Sequence, residues 1–490
     1  VTNPGPGGQW PHQGGPQQWG HQQPGTGQYG TPQQQPYPGQ SPYPPQQPYQ
    51  GQPPYGSPQF SQAWQPYGPQ GQWSHGAPPP SKSKRAWVIG LVVALVVVLG
   101  SGATWLAVSQ TGSVAAGAAT PTEAAQNLAA SVGNGDIVGL LSTLAPAEAA
   151  LLTDPLEETT AELKRIGILD ESADPAQLTG VRMETTGLVF DTAGEERIND
   201  HLTITKLTGG TLTITADLSK IPLSEEFIEA ARDNSERAGL ESQTRTETVD
   251  IAEFIRNTGE PIRIATVQVD DEWYPSLLYT MADYVLLEEG IPWPTESIPA
   301  NGAASPNEAV RQTLQAALDA DVRRVIELLP PDEMGVLHDA GPAILNAAVT
   351  DLEPTGVKVE RLETETSQVA GGTKAVLTAL ELSKDGGTSR FSLTKSDDCY
   401  ELVIDGGSER ICADEFARMA QERSDSLPPE ADGFTRSLAT GLFHGGLGVV
   451  TTEVDGKHYV SPLRTVNELG MIVLRSFQPG DIEAMLRLAD

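Results

Sequence analysis

Residues 1–81 contain no Asp, Glu, Lys or Arg, and almost no aliphatic side chains. They are built from Gln, Pro, Gly and Tyr, as in "YGTPQQQPYPGQSPYPPQQPYQGQPPYG". A segment with so little apolar surface cannot offset the entropy of ordering, which predicts a disordered tail. Its Pro-Tyr steps favour polyproline II; they leave tyrosines for self-association or a proline-reading cytoplasmic partner, or the tail is a spacer. Cysteine is scarce too, with 2 in 490 residues. No CxxC, HExxH or Cys/His cluster at zinc spacing occurs, so no structural metal is expected and no cofactor is implied. Phosphate loops and nucleophile elbows are absent as well.

Positive charge is the third shortage. The chain carries 31 basic and 64 acidic residues, net −33. Lys82, Lys84 and Arg85 form a compact +3, and the chain after them, 28 basic against 64 acidic residues, sums to −36. Such a surface repels nucleic acid and anionic lipid headgroups, so no nucleic-acid partner is expected.

What is present begins with "AWVIGLVVALVVVLGSGATWLAV", Ala86 to Val108, an unbroken run without a charge. At about 1.5 Å per residue it spans roughly 34 Å, enough to cross a hydrocarbon core. Trp87 and Trp105 stand near its two ends, where interfacial indoles belong. It lies too deep in the sequence for a cleaved signal peptide. The expectation is a single transmembrane anchor in the lipid bilayer. Lys82, Lys84 and Arg85 precede it, and no Lys or Arg follows until Lys164. The positive-inside rule then places residues 1–81 in the cytoplasm and 109–490 outside, an oxidising setting for the two cysteines.

Beyond a small-residue linker, 109–119, the chain repeats itself. "TPTEAAQNLAASVGNGDIVGLLSTLAPAE" from Thr120 lies without a gap on "SPNEAVRQTLQAALDADVRRVIELLPPDE" from Ser305, at an offset of 185. Asp136, Leu144, Pro146 and Glu148 match Asp321, Leu329, Pro331 and Glu333. Thr120 and Ser305 read as N-caps, with proline at the first helical position and Glu123 or Glu308 closing a capping box. Two amphipathic helical segments follow in each copy, the second ending at Pro146 or Pro331, and in the second copy Val310, Leu314, Ala317 and Leu318 have the spacing of a buried face. "TGVRME" (Thr179 to Glu184) matches "TGVKVE" (Thr355 to Glu360) at an offset of 176. "IATVQVDDEWYPSLLYT" (Ile264 to Thr280) matches "VVTTEVDGKHYVSPLRT" (Val449 to Thr465), again at 185. Alternation around Asp-Asp or Asp-Gly describes a closing β-hairpin. With the Thr/Val/Leu-rich runs between these anchors, each copy reads as helices first and then a meander of antiparallel strands. The expected fold class is therefore α+β: a disordered tail (1–81), a basic flank and transmembrane helix (82–108), and two tandem extracytoplasmic α+β domains (120–295 and 305–490), each with helices packed on a curved antiparallel sheet.

Among shared residues, Asp136 and Asp321 fall at a helix junction and Asp270 and Asp455 at a hairpin turn, so capping and turn roles are expected. Tyr274 and Tyr459 read as core aromatics with a hydrogen-bonded hydroxyl rather than as catalytic acids. No histidine is shared at the anchors. "CYELVIDGGSERIC" reads as a hairpin turning at Asp405-Gly406. That register puts Cys399 opposite Cys412 as a non-hydrogen-bonded pair about 4.5 Å apart at Cα, within disulfide range. A cross-strand disulfide is expected in the second repeat, closing a short loop, and the middle of that repeat is expected to be lengthened around Arg423 to Gly433.

The helices-first order, the "[ST]-P-x-E-A … D … L-x-P" opening and the "V-D-x-x-[WH]-Y-x-S" hairpin resemble the nuclear-transport-factor-two-like (cystatin-like cone) superfamily, over about residues 120–290 and 305–480. The whole layout resembles single-pass envelope proteins of actinobacteria. The first resemblance implies a cone-shaped pocket in each repeat, which the superfamily's isomerases and dehydratases line with an Asp or His. The expected function is a non-catalytic, membrane-anchored cell-envelope protein whose paired ectodomains bind an envelope protein or cell-wall ligand. The alternatives are a transmembrane scaffold or sensor in cell-wall growth, and an enzyme using a polar residue in one cone.

Overall fold

Two antiparallel sheets of one design follow each other along the chain. The computed structural model describes residues 116–133, 137–173, 180–229, 244–348, 352–384, 386–423 and 432–482. The tail, the basic flank with Lys82, Lys84 and Arg85, the apolar segment 86–108 and Asp136 lie outside the described residues. Among the described residues no helix is long and apolar enough to cross a membrane.

The first repeat runs α1 (Pro121–Gly133), α2 (Ile137–Ser142), α3 (Pro146–Thr153), α4 (Leu156–Arg165), β1 (Val181–Phe190), β2 (Glu196–Arg197), β3 (Leu202–Ala216), β4 (Arg245–Asp250), α5 (Ile251–Thr258), β5 (Ile262–Val269), β6 (Glu272–Pro275) and α6 (Leu277–Glu289). The second runs α7 (Pro306–Leu318), α8 (Val322–Glu327), α9 (Gly335–Ala348), β7 (Lys358–Val369), β8 (Gly372–Lys384), β9 (Ser389–Ser396), β10 (Cys399–Ile404), β11 (Gly407–Cys412), α10 (Ala413–Arg423), α11 (Asp432–Gly445), β12 (Gly448–Val454), β13 (Lys457–Ser461) and α12 (Pro462–Ser476).

In each sheet one long strand serves two partners on the same side. The start of β3 pairs with β5 and its end with β4, while β1 runs along the opposite side. Strand β8 does the same with β12, β9 and β7. A strand that changes partners along its length must bend, and this curls each sheet around its helices. The closing hairpins turn on residues with positive φ, Asp270 (50°) and Asp271 (67°) in one, Asp455 (51°) and Gly456 (72°) in the other. Both central positions in the left-handed region are the type I′ signature that matches strand twist.

Local chemistry repeats with the backbone. The Thr266 hydroxyl donates to Thr203 O at 3.0 Å, and Thr451 to Thr373 O at 3.1 Å. The amides of Ala265 and Val450 donate to the hydroxyls of Thr280 and Thr465, both at 2.9 Å. Ser276 and Ser461 cap the last helix of each repeat. Ahead of each first helix, Ala118 bridges Trp273 and Ala303 bridges His458. The close approach needs glycine beside it, since a Cβ on Gly117 or Gly302 would lie 2.6 Å from the ring of Tyr274 or Tyr459. The repeats therefore begin at Gly117 and Gly302, and the last part of 109–119 is part of the domain rather than linker.

Several expectations change. Two helices, α3 and α4, follow Pro146 in the first repeat, because "PAEAALLTDPLEETTAELKR" is interrupted by Asp154-Pro155 rather than ended by Pro146. Glu308 turns to Arg311 at 2.5–2.9 Å instead of closing a capping box. The buried face of α7 centres on Ala309 and Ala316; Ala317 is exposed. In the second repeat, β10, β11 and α11 elaborate the middle. Helix α10 follows β11 as α5 follows β4, but β11 lies two strands further out. Cys399 and Cys412 pair directly across β10 and β11, with Sγ atoms 2.07 Å apart and Cα atoms 4.0 Å apart. The turn is Asp405-Gly406, with φ of 47° and 89°.

The two repeats are joined reciprocally. Helix α12 packs on α4, and its counterpart α6 packs on α9, the equivalent of the α4 region. Arg464 reaches Asp154 at 2.7 Å. Tyr279, at the position matching Arg464, reaches Asp339, at the position matching Asp154. Exchanged contacts of this kind describe a pseudo-two-fold interface, a dimer geometry written into one chain. The connection between repeats is held down rather than loose. Trp293 stacks on Tyr279 with centroids 6.0 Å apart, Ile298 is 1% exposed, and its amide donates to His338 O at 2.9 Å. The core of the first repeat, including Leu202, Ile204 and Ala265, continues across this seam to Val336 of the second.

Candidate functional site

Two cavities meet at the first turn of α6. The first is an apolar chamber of about 160 Å3 between α1 and the curled sheet of the first repeat. Its wall includes Leu128, Met183, Leu188, Leu207, Ile264 and Leu277. Small residues on the inner face of α1, Ala125 and Ala129, leave the space open; the matching positions of α7 hold the larger Val310 and Leu314. The hydroxyls in the wall are already committed. Thr185 donates to Ala129 O at 3.1 Å, Thr280 to Ser276 O at 2.6 Å, and Ser276 to Glu148.

Among the described residues, the single ionisable group in that wall is Arg263, and its charge points away into a network. It binds Asp283 at 2.6 and 3.1 Å and Glu196 at 2.8 Å; Lys206 also binds Glu196 at 2.6 Å. The Arg263 bond holds the Glu196 carboxyl down at about 2, against partial burial. A recess of this size with an apolar wall accepts small apolar molecules.

The second cavity is a cleft of about 540 Å3 along the seam between repeats, with a cluster of ionisable side chains set in a largely apolar lining. His201, from the turn before β3, places Nε2 2.7 Å from Asp339 Oδ2. Tyr279 donates to the same oxygen at 2.8 Å, and Ser297 donates to Oδ1 at 2.5 Å. Burial pushes the Asp339 carboxyl up, but these three bonds outweigh it and hold it below its ordinary value. The bond to Asp339 raises His201, and burial together with the Asp339 charge pushes the Tyr279 phenol far up. His338, 5% exposed, faces two carbonyl oxygens, Ile298 O at 2.8 Å from Nδ1 and Leu329 O at 3.1 Å from Nε2.

Glu148 closes the cleft against α6. It is 6% exposed and accepts hydrogen bonds from the Ser276 hydroxyl and from Leu277 N at 2.8 Å. Burial pushes its carboxyl up to about 7, although both bonds oppose the shift.

The residues singled out in the sequence serve structure around these cavities. Tyr274 is 7% exposed, donates to Glu272 at 2.8 Å and accepts from Gly117 N at 3.2 Å. Tyr459, 5% exposed, packs against Gly302. Asp321 caps α8, accepting from Arg324 N at 2.9 Å. Cys399 and Cys412 sit at the start and end of the outer hairpin, away from both cavities. Sequence reasoning used Glu148 and Glu333 only as repeat matches. Their signal was available: an acid kept in "L-x-P-x-E" within an otherwise apolar stretch. His201 carried no such mark, since it has no like residue in the other copy, and Asp339, which matches Asp154, lies outside the segments matched in the sequence.

Among the described residues no group of His, Cys, Asp or Glu is arranged to hold a metal ion. Comparison with protein-family models, curated proteins and solved structures finds no match.

Proposed function

We propose that the two repeats form a non-catalytic binding unit, held outside the membrane by the segment 86–108, and that the first repeat's chamber is its ligand site. The observation that carries this reading is the chamber wall: it contains no Asp, Glu, His, Cys or Lys, and its hydroxyls are engaged by neighbouring groups. A catalytic cone needs a base or nucleophile facing the ligand. An apolar, uncharged small molecule or chain end is what this wall can hold. The net negative charge after Arg85 supports a well-hydrated ectodomain in a polyanionic setting. One observation favours an enzyme instead, the His201–Asp339 pair on the cleft. The hydroxyls of Ser297 and Tyr279 both donate to that same carboxylate rather than to the imidazole.

The test uses the full chain in its own membrane. An uncharged alkyl diazirine is photolysed and the labelled peptides are mapped. Labels are expected on α1 and β1 at the chamber, and Ala129→Phe, which fills it, should cut them by about tenfold or more. Labelling confined to residues 86–108 would remove the chamber as the site. In parallel, a reporter fused after Asp490 that works only outside the membrane should be active. Activity of a cytoplasm-only reporter there would reverse the orientation.

A further inference from the structure

The two repeats treat the same buried acid differently. Glu333, 3% exposed, accepts from the Ser461 hydroxyl at 2.5 Å and from the Arg464 guanidinium at 2.5 Å. Glu148 keeps the matching serine, Ser276, but the position matching Arg464 is Tyr279, which turns across the seam to Asp339. Among the described residues no cation lies within ion-pair range of Glu148. A buried carboxylate with a guanidinium is compensated; one held by a hydroxyl and backbone amides alone is not, and it tends to stay uncharged.

The donors to Glu148 are the Ser276 hydroxyl and the amides of Leu277 and Leu278, the N-cap and first two residues of α6. That turn is a shared wall. Ser276, Leu277 and Thr280 line the apolar chamber, and Leu278 and Tyr279 line the cleft. We propose that Glu148 is a proton-operated positioning residue: uncharged, it seats the first turn of α6 and keeps the chamber wall dry; charged, it draws water from the cleft to that turn and loosens the wall. The change of charge in the folded protein falls near neutral pH. Apolar ligand is then held more tightly below neutrality than above it. The ligand part rests on the function proposed above; the movement of the turn does not.

The other ionisable groups on the cleft that Glu148 borders are Tyr279 from α6, His201 from the turn before β3, and Asp332, Glu333, His338 and Asp339 from the second repeat. Of these, His201 also gives up a proton as pH rises, above its ordinary range because Asp339 holds it. It must therefore be separated from Glu148 by experiment.

Two measurements on the full chain do this. Amide exchange, corrected for its intrinsic pH dependence, is followed in residues 276–280 and in 461–465, where Arg464 supplies the fixed cation. Between about pH 6 and about pH 8 the first segment should lose at least about threefold in protection while the second does not change. Glu148→Gln should abolish that difference, and His201→Asn should keep it. Chamber labelling by the alkyl diazirine should fall over the same interval in the wild type and stay level in Glu148→Gln. Equal behaviour of the two segments, or the same pH response in Glu148→Gln as in the wild type, overturns the proposal. If Glu148→Gln does not fold, the comparison of the two segments within the wild type still decides. Should exchange follow Glu148 while no chamber labelling appears at any pH, the ligand reading fails and the proton-operated turn stands.

Discussion

Replacing Arg464 with methionine is expected to cost about 3–5 kcal/mol in denaturant unfolding, the range for stranding one member of a buried ion pair. Arg464 is 8% exposed and bonds Glu333 at 2.5 Å, Asp154 at 2.7 Å and Ala370 O at 3.4 Å. Asp154 keeps about a third of its side chain in water and can be rehydrated. Glu333 cannot, because it is 3% exposed and would retain only the Ser461 hydroxyl. Most of the loss should therefore come from Glu333, and a second change, Glu333→Leu, should recover most of it. Since Arg464 also ties the repeats together, the single variant should unfold in two steps where the wild type shows one. A loss under about 1 kcal/mol would mean that water reaches Glu333 freely.

The second large effect lies at Lys374. Its ammonium is 3.0 Å from Glu468 Oε1, and both side chains are at least nine-tenths buried. Strand register places Lys374 where the first repeat has Ile204: Lys374 stands opposite Val450, and Ile204 opposite Ala265. The surrounding space therefore suits an apolar side chain. Lys374→Met should cost about 3 kcal/mol, near the low end for a broken buried pair, because Arg475 remains 3.4 Å from the same oxygen. Lys374→Met with Glu468→Met should come back to within about 1 kcal/mol of the wild type, since a packed apolar pair replaces the buried ions. Thermal or urea unfolding of the two singles and the double reads the coupling directly. If the double variant were as unstable as the single, packing rather than charge would govern the site.

The same helix position shows how the duplicated halves have diverged. Asp283 and Glu468 occupy matching positions, and both are buried on the last helix of their repeat. In the first repeat the compensating cation, Arg263, comes from β5; in the second, Lys374 comes from β8. The acid is retained while its partner has moved to another strand. A buried charge must be compensated, but any neighbouring strand can supply the cation.

Much of the organisation was legible because it depends on short-range rules. Helix starts at Thr120 and Ser305, the turns at Asp270, Asp405 and Asp455, and the pairing of Cys399 with Cys412 each follow from neighbouring residues. The opening helices and the duplication, unlike the helices among and after the strands (α5 and α6 in the first repeat, α10, α11 and α12 in the second), followed from matched segments at a fixed offset. These features need only local backbone preferences and a two-residue count across a hairpin.

The seam, the chamber and the cleft were not legible in that way. Whether Arg464 meets Asp154, or His201 meets Asp339, depends on how segments far apart in the chain pack. No local preference encodes such a meeting. The chamber exists because Ala125 and Ala129 face the curl of β3, and small residues on a helix look alike in sequence whether they border a void or a filled core. Sequence determined the repeat, its turns and its disulfide partners. Tertiary structure decided which of two matched acids, Glu148 or Glu333, is left without a cation. That depends on which way the side chain in the first turn after each capping serine points: Arg464 inward to Glu333, Tyr279 across to Asp339.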